Sequence, residues 1–169
     1  AFAGCITEIR ARLPETSVEV LIPDFKGSEQ ALQLVMDARP DILNHNLETP
    51  ERLYRLARPG GRYDRALRLL ANARRMGGPD ALTKSGMILG MGEEWDELLG
   101  LATEVLRLEA AEGDESRRRR YSVALRRLLP KSALQHIARA ALSEGRRLEA
   151  TAVLKRMDGD AVEALLELL

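Results

Sequence analysis

The 169-residue sequence is poor in the residues that build metal centres and disulfides: it holds one cysteine, Cys5, and two histidines, His45 and His136. A lone thiol forms no internal disulfide and cannot alone supply the thiolates of a zinc or iron–sulfur site, which fits a reducing compartment. His45 has no second histidine or cysteine at metal-ligand spacing, so structural duty is favoured over zinc binding or catalysis. Lysine plus arginine equal aspartate plus glutamate at 26 each, which leaves no overall field for nucleic acid. Aromatic residues make up only 4%, so the run Arg117–Arg120 lacks an accompanying ladder of stacking rings. With Asp114 and Glu115 adjoining it, the run reads as a solvated linker or helix face rather than a site for RNA or anionic lipid. No apolar run approaches the roughly 20 residues needed to cross a bilayer, and Glu8 and Arg10 interrupt any signal-like start. The expected location is the cytoplasm, with no membrane and no nucleic-acid partner.

What is present is an ordinary folded composition, 45% hydrophobic and 31% charged. The neutral total conceals an asymmetry: residues 1–113 carry 14 basic against 18 acidic side chains, and residues 114–169 carry 12 against 8. Eleven of 13 glycines and six of seven prolines also precede residue 114, where turns must punctuate short elements. These shifts predict two parts, an α/β segment over 1–113 and a helical tail or small bundle over 114–169. The chain starts at Ala1 inside a helical pattern, with Phe2, Cys5, Ile6 and Ile9 expected on one buried face, and reads like a piece of something longer.

Repeated alternation of strand and helix patterns follows. "SVEVLIP" is β-rich and almost wholly apolar in its middle, as expected of a strand covered on both faces, and Asp24 sits at its C-terminal end. Ser28 is placed to cap a helix through "EQALQLVMDA", with Ala31, Leu34, Val35 and Ala38 as the expected core stripe. "DILNHNLET" predicts a second strand, "PERLYRLA" a short helix, and "RYDRALRLLANARRM" a longer one burying Ala66, Leu69, Leu70 and Ala73. "ALTKSGMILGMG" predicts a third strand with Gly86 inside it, followed by the helix "EEWDELLGLATEVLRLEA" with an acidic first turn. Such an order implies a parallel sheet, and three βα units are too few to close an eight-stranded barrel of about 250 residues. The expected fold class is therefore α/β, a partial parallel βα barrel with an all-helical C-terminal tail at 116–129, 131–143, 146–157 and 160–169.

In such folds ligand groups gather at the C-terminal ends of the strands. The polar residues so placed are Asp24, Lys26, Asn44, His45, Asn46, Glu48, Thr83, Lys84 and Ser85. An amide and a carboxylate at Asn46 and Glu48 can bind hydroxyls or an ammonium group, and capping of the next helix is the competing use of the same residues. Lys84 needs an anion if it lies in a buried strand, with snorkelling to solvent as its rival. Arg62, Arg65 and Tyr63 follow the "RPGG" turn and suit a carboxylate or phosphate, although arginines are common on helix surfaces of this chain. Cys5 is expected to pack as a small buried hydrophobe. "GMGEE" lacks the full dinucleotide fingerprint and the ending of a phosphate loop.

The blocks "VEVLIPDFKG", "DILNHNLETPERLYRLARPGGRYDRALRLL" and "TKSGMILGMGEEWDELL" resemble consecutive parts of lipoyl synthase, over about residues 1–100. The resemblance implies a radical S-adenosylmethionine sulfurtransferase of lipoate biosynthesis, inserting two sulfur atoms into an octanoyl chain carried on a lysine of a lipoyl carrier protein or domain. It also implies two 4Fe-4S clusters, one to split S-adenosylmethionine reductively and one consumed as sulfur donor. Transferred by position, Asn46 and Glu48 look like S-adenosylmethionine contacts, Arg65 and Lys84 like polar ligands lining the same cavity, and Gly90 and Gly92 like points of close approach for cofactor or substrate. All six are expected to face one cleft, and no catalytic or metal-binding residue is assigned.

Both cysteine triads that hold the family's clusters should lie upstream of Ala1, and Cys5 resembles a member of neither. The family's later strand blocks and terminal Arg-Ser-Ser-Tyr motif are also absent after residue 100. No cluster is therefore expected to assemble on this chain alone, which should be inactive by itself. The alternative is a non-catalytic α/β and helical assembly module, or a chimeric or designed protein built on the synthase fragment, with a homo-oligomer as one way to cover an exposed apolar sheet edge.

Overall fold

The computed structural model describes residues 1–78, 81–111, 113–115, 129, 131–143, 145–157 and 166. Two compact units, Ala1–Gly92 and Glu93–Leu169, make up the chain. In the first, helix α1 (Phe2–Arg12) leads into strand β1 (Glu19–Leu21), a 3-10 turn at Phe25–Gly27 and helix α2 (Glu29–Asp37). Strand β2 (Ile42–Asn44), a 3-10 turn at Glu51–Leu53, the short helix α3 (Tyr54–Ala57), helix α4 (Tyr63–Gly77) and strand β3 (Leu82–Lys84) follow. The strands form a parallel sheet in the order β1-β2-β3, with Leu21 opposite Asn44 and Asn44 opposite Lys84. An α/β unit with a parallel sheet is thus present as the alternating pattern required.

One face of this sheet carries the core. Val18 and Ile22 flank β1, Leu43 lies in β2, and they pack with Ile6 of α1, Leu32, Val35 and Met36 of α2, and Leu69 and Ala73 of α4. Side chains alternate across a strand, so Glu19, Leu21, Asn44 and Lys84 point to the opposite face. Leu21 is 55% exposed there. The expectation that β1 is covered on both faces is therefore corrected: β1 is an edge strand whose helices cover one side.

Two helical faces also differ from expectation. The Ser28 hydroxyl accepts from the Ala31 N–H and caps α2 as predicted. The buried stripe of α2 is however Leu32, Val35 and Met36, while Leu34 is 59% exposed. Both stripes satisfy helical spacing and share Val35, and contact with the sheet and α4 selects the second. In α1 only Ile6 is buried, and Cys5 and Ile9 are both exposed, so the expected buried face shrinks to Ile6 with Phe2 half-buried and the buried-hydrophobe reading of Cys5 is overturned. Phe2 meets Phe25 edge to face at a centroid distance of 5.9 Å, which anchors the start of α1. Helix α4 buries Ala66, Leu69 and Ala73 as expected, with Leu70 half-buried.

The second unit contains helix α5 (Trp95–Ala111), helix α6 (Lys131–Leu142) and helix α7 (Arg147–Leu154). Its own apolar core includes Leu99, Ala102, Ala133, Leu134, Ile137, Ala150 and Val153. Trp95 stacks on His136 at 3.9 Å between ring centroids, and Arg146 pairs with Glu149 at 2.6 Å. The Arg117–Arg120 run and the greater part of the segments 116–129 and 160–169 lie outside the described residues.

Candidate functional site

Beyond the strands, β2 and β3 continue side by side through their C-terminal loops. The His45 N–H donates to the Lys84 carbonyl at 3.0 Å, the Leu47 N–H to the Ser85 hydroxyl at 3.2 Å, and the Glu48 N–H to the Gly86 carbonyl at 3.0 Å. The Ile88 N–H returns a bond to the Glu48 carbonyl at 2.7 Å, making a parallel bridge between Glu48 and Met87. Gly86 thus follows β3 rather than lying inside it, and a Cβ there would sit 3.0 Å from the Asn46 Oδ1, so a larger residue would require the Asn46 amide to shift.

Glu48 has φ +69°, a left-handed conformation that costs a non-glycine residue about 1 kcal/mol or more. Its half-buried carboxylate has no partner among the described residues. The Asn46 carbonyl accepts from the Arg58 Nη1 at 2.7 Å, and Arg58 also donates to the Tyr54 hydroxyl at 3.1 Å. Asn46 and Glu48 are therefore held by backbone contacts from two sides, leaving the Glu48 carboxylate free to act. Nothing in the sequence distinguishes Arg58 from the surface arginines around it, and its role was missed.

Lys84 ends β3 half-exposed rather than in a buried strand, so its ammonium reaches solvent, and its Nζ also donates to the Glu19 Oε1 at 2.8 Å. The same oxygen accepts from the Asn44 Nδ2 at 3.2 Å, so a carboxylate, an amide and an ammonium span all three strands on the uncovered face. The Lys84 hydrogen bond, working against partial desolvation, holds the Glu19 carboxyl below its ordinary range, with the Lys84 charge and the Asn44 amide adding to it.

Arg65 serves the neighbouring strand end. Its Nε donates to the Asp24 Oδ2 at 2.7 Å and its Nη2 to the Gly60 carbonyl at 3.2 Å. Both side chains of the pair are 18% exposed. Burial pushes the Asp24 carboxyl upward, but the Lys26 N–H and the Arg65 guanidinium outweigh it and hold the group below its usual value. His45, only 1% exposed, has its Nδ1 at 2.8 Å from the Ile22 carbonyl, which ties β1 to β2 beside this pair. Gly90 and Gly92 lie in the bend after β3 at φ +95° and +107°. A Cβ on Gly90 would meet nothing within 4 Å, so conformation rather than crowding calls for glycine there.

Two local clusters result: Asn46 and Glu48 interlocked with Gly86–Ile88, and Arg65 with Asp24. Lys84 joins Glu19 and Asn44 on the sheet face below. Among the described residues no group of three or more His, Cys, Asp or Glu is arranged to hold a metal.

This arrangement of strand-end loops coincides with a match to the Radical SAM superfamily over residues 4–105. The chain belongs to the radical SAM superfamily. Within that superfamily it is similar to the lipoyl synthase of Desulfotalea psychrophila, 55% identical over 97 residues that make up 57% of this chain and 32% of that protein. The lipoyl synthase of Azoarcus sp. is 50% identical over 62% of the chain and 33% of its own length, and that of Geobacter sp. 51% identical over 63% and 36%. The chain spans about a third of the length of the curated relatives it matches. The radical SAM match ends within α5, and every site residue discussed above falls inside it.

Proposed function

We propose that residues 1–113 form a partial radical SAM barrel, the segment of a lipoyl-synthase-like enzyme that presents S-adenosylmethionine to the reaction, with 114–169 a helical tail. The reaction of the whole enzyme is sulfur insertion into octanoyl groups on a lipoyl carrier protein or domain, in the cytoplasm. The observation that carries this reading is Glu48 held in a left-handed conformation beside Asn46 on interlocked strand-end loops, its carboxylate without a partner among the described residues. Strain of that kind concentrates where geometry serves a ligand.

The donor set suits S-adenosylmethionine. Glu48 accepts from ribose hydroxyls or an ammonium, and the Asn46 amide both donates and accepts. Lys84 offers its ammonium within the Glu19 and Asn44 cluster, and Arg65 its guanidinium next to Asp24. Gly90 and Gly92 shape the bend that follows the loop after β3 through their positive φ values. S-adenosylmethionine would supply radical chemistry at an unreactive C–H bond only after one-electron reduction by a donor held elsewhere in the whole enzyme; Asn46, Glu48, Arg65 and Lys84 would bind and orient it.

The 4Fe-4S clusters do not fit this donor set. Each needs several thiolates, and the 169 residues contain only Cys5, exposed on α1. The chain alone is inactive on this reading. Reconstitution with iron and sulfide should leave no stable cluster absorption, and a stoichiometric cluster would overturn that part of the account.

Calorimetric titration of S-adenosylmethionine into the 169-residue chain tests the binding claim. Saturable one-site binding is expected, weakened about tenfold or more by Glu48→Gln, as loss of a charge-assisted hydrogen bond requires. Absence of binding, or binding indifferent to Glu48→Gln and Asn46→Ala in folded protein, would remove it. The separate apolar core of the helical unit favours the second reading, a non-catalytic assembly module that forms a homo-oligomer through its tail. Light scattering that finds the full 169-residue chain monomeric up to high concentration would dismiss that reading.

A further inference from the structure

We propose that the Arg58-Pro-Gly-Gly turn is an alignment device for the ligand-bearing loops, with Arg58 the positioning residue for Asn46 and Glu48. The inference rests on the S-adenosylmethionine reading above and adds the element that holds the site in register.

Arg58 closes α3, its own N–H donating to the Tyr54 carbonyl at 2.9 Å. Its half-buried guanidinium then makes two directed bonds from one nitrogen, to the Asn46 carbonyl at 2.7 Å and the Tyr54 hydroxyl at 3.1 Å. Tyr54 is itself buried and meets Tyr63 edge to face at 5.4 Å, so the anchor is fixed to the start of α4. The backbone of the turn locks the stem of the arginine. The Gly61 N–H donates to the Arg58 carbonyl at 2.9 Å, and a Cβ at Gly61 would sit 3.0 Å from the Arg58 Cγ. The other half of the turn reaches the neighbouring strand end, because the Gly60 carbonyl accepts from Arg65, which holds Asp24 after β1. One turn thereby couples the loop after β1 to the loop after β2. A cation aimed at a backbone carbonyl fixes the loop while leaving the side chains of Asn46 and Glu48 available to a ligand.

Three variants of the full chain test this: Arg58→Gln, Arg58→Lys and Gly61→Ala, with S-adenosylmethionine affinity and amide hydrogen exchange as readouts. Arg58→Gln should weaken binding about tenfold, Arg58→Lys should recover part of the loss, and Gly61→Ala should weaken binding by displacing the Arg58 stem. The effect of Arg58→Gln should largely vanish in a Glu48→Gln background, a coupling that general destabilisation would not produce. Independently of ligand, the Glu48 and Ile88 amides should exchange faster in Arg58→Gln while the Ile22 amide in the sheet keeps its protection. Wild-type chain that fails to bind S-adenosylmethionine, with selective exchange at Glu48 and Ile88, would sink the binding reading and leave the alignment standing. Unchanged exchange at those amides, or binding losses equal with and without Glu48, would overturn the alignment itself.

Discussion

Replacing Asp24 by Asn separates the charge of the Asp24–Arg65 pair from its shape. The two side chains are 18% exposed each and approach to 2.5 Å, so the pair lies between an exposed ion pair, worth about 0–1 kcal/mol, and a fully buried one, where removing a partner costs about 3–5 kcal/mol. A loss of about 2 kcal/mol is the value this burial supports. The Asn side chain can still accept from the Lys26 N–H, so the 3-10 turn at Phe25–Gly27 should survive. Arg65 keeps its bond to the Gly60 carbonyl, which limits the penalty of its unpaired charge. Because the chain has two compact units, the readout must come from the one that holds the pair. Native-state hydrogen exchange at the Ile22 amide, which donates to the Asn44 carbonyl, provides it. A 2 kcal/mol loss accelerates exchange roughly 30-fold when opening is global to that unit. The double variant with Arg65→Gln should cost clearly less than the sum of the single changes. Single changes that each shift exchange less than about twofold, or that add without coupling, would refute the reasoning.

Other consequences follow from the same contacts. Leu34→Gln should change stability by no more than about 0.5 kcal/mol, whereas Leu32→Ala should cost about 2–4 kcal/mol, which urea unfolding can separate. Cys5 should react with a thiol reagent in the folded chain as fast as a free thiol does, since it is exposed. Gly86→Ala should weaken S-adenosylmethionine binding by forcing the Asn46 amide from its place, with the melting temperature as the folding control. The carboxyls of Glu19, Asp24 and Asp41 all titrate below their ordinary values. For Asp41 the first cause is the Val18 N–H, set against partial desolvation and helped by Arg10. Groups depressed in the folded state contribute stability that is complete above the unfolded carboxylate pKa, about 4, and is lost as the pH falls through their lower folded values. Urea midpoints should therefore hold steady from pH 7 to about 5 and fall below about 4, and a midpoint that rises on acidification would contradict the assignment.

Much of the α/β unit was legible because its signals are local. The Ser28 cap, the turn before α4 and the spacing of Ala66, Leu69 and Ala73 each act within a few residues. Parallel pairing followed from alternation, and the strand-end position of Asn46 and Glu48 from the break between β2 and α3. What stayed hidden depends on distant partners. The α2 stripe is ambiguous until the sheet selects Leu32 and Met36 over Leu34, and the exposure of Leu21 depends on which face the helices cover. Glu19, the partner of Lys84, lies 65 residues earlier, and Arg65 meets Asp24 across 41. Arg58 is invisible for the same reason, since its target is a backbone carbonyl that any sequence would provide.

Amide chemical shifts recorded while S-adenosylmethionine is added to the labelled chain show whether the interlocked loops after β2 and β3 bind it. Saturable changes should concentrate at Asn46, Glu48, Gly86, Ile88 and Gly90 and be lost in Glu48→Gln. Shifts confined to the helical unit, or no saturable shift at these five amides, would contradict binding at the loops.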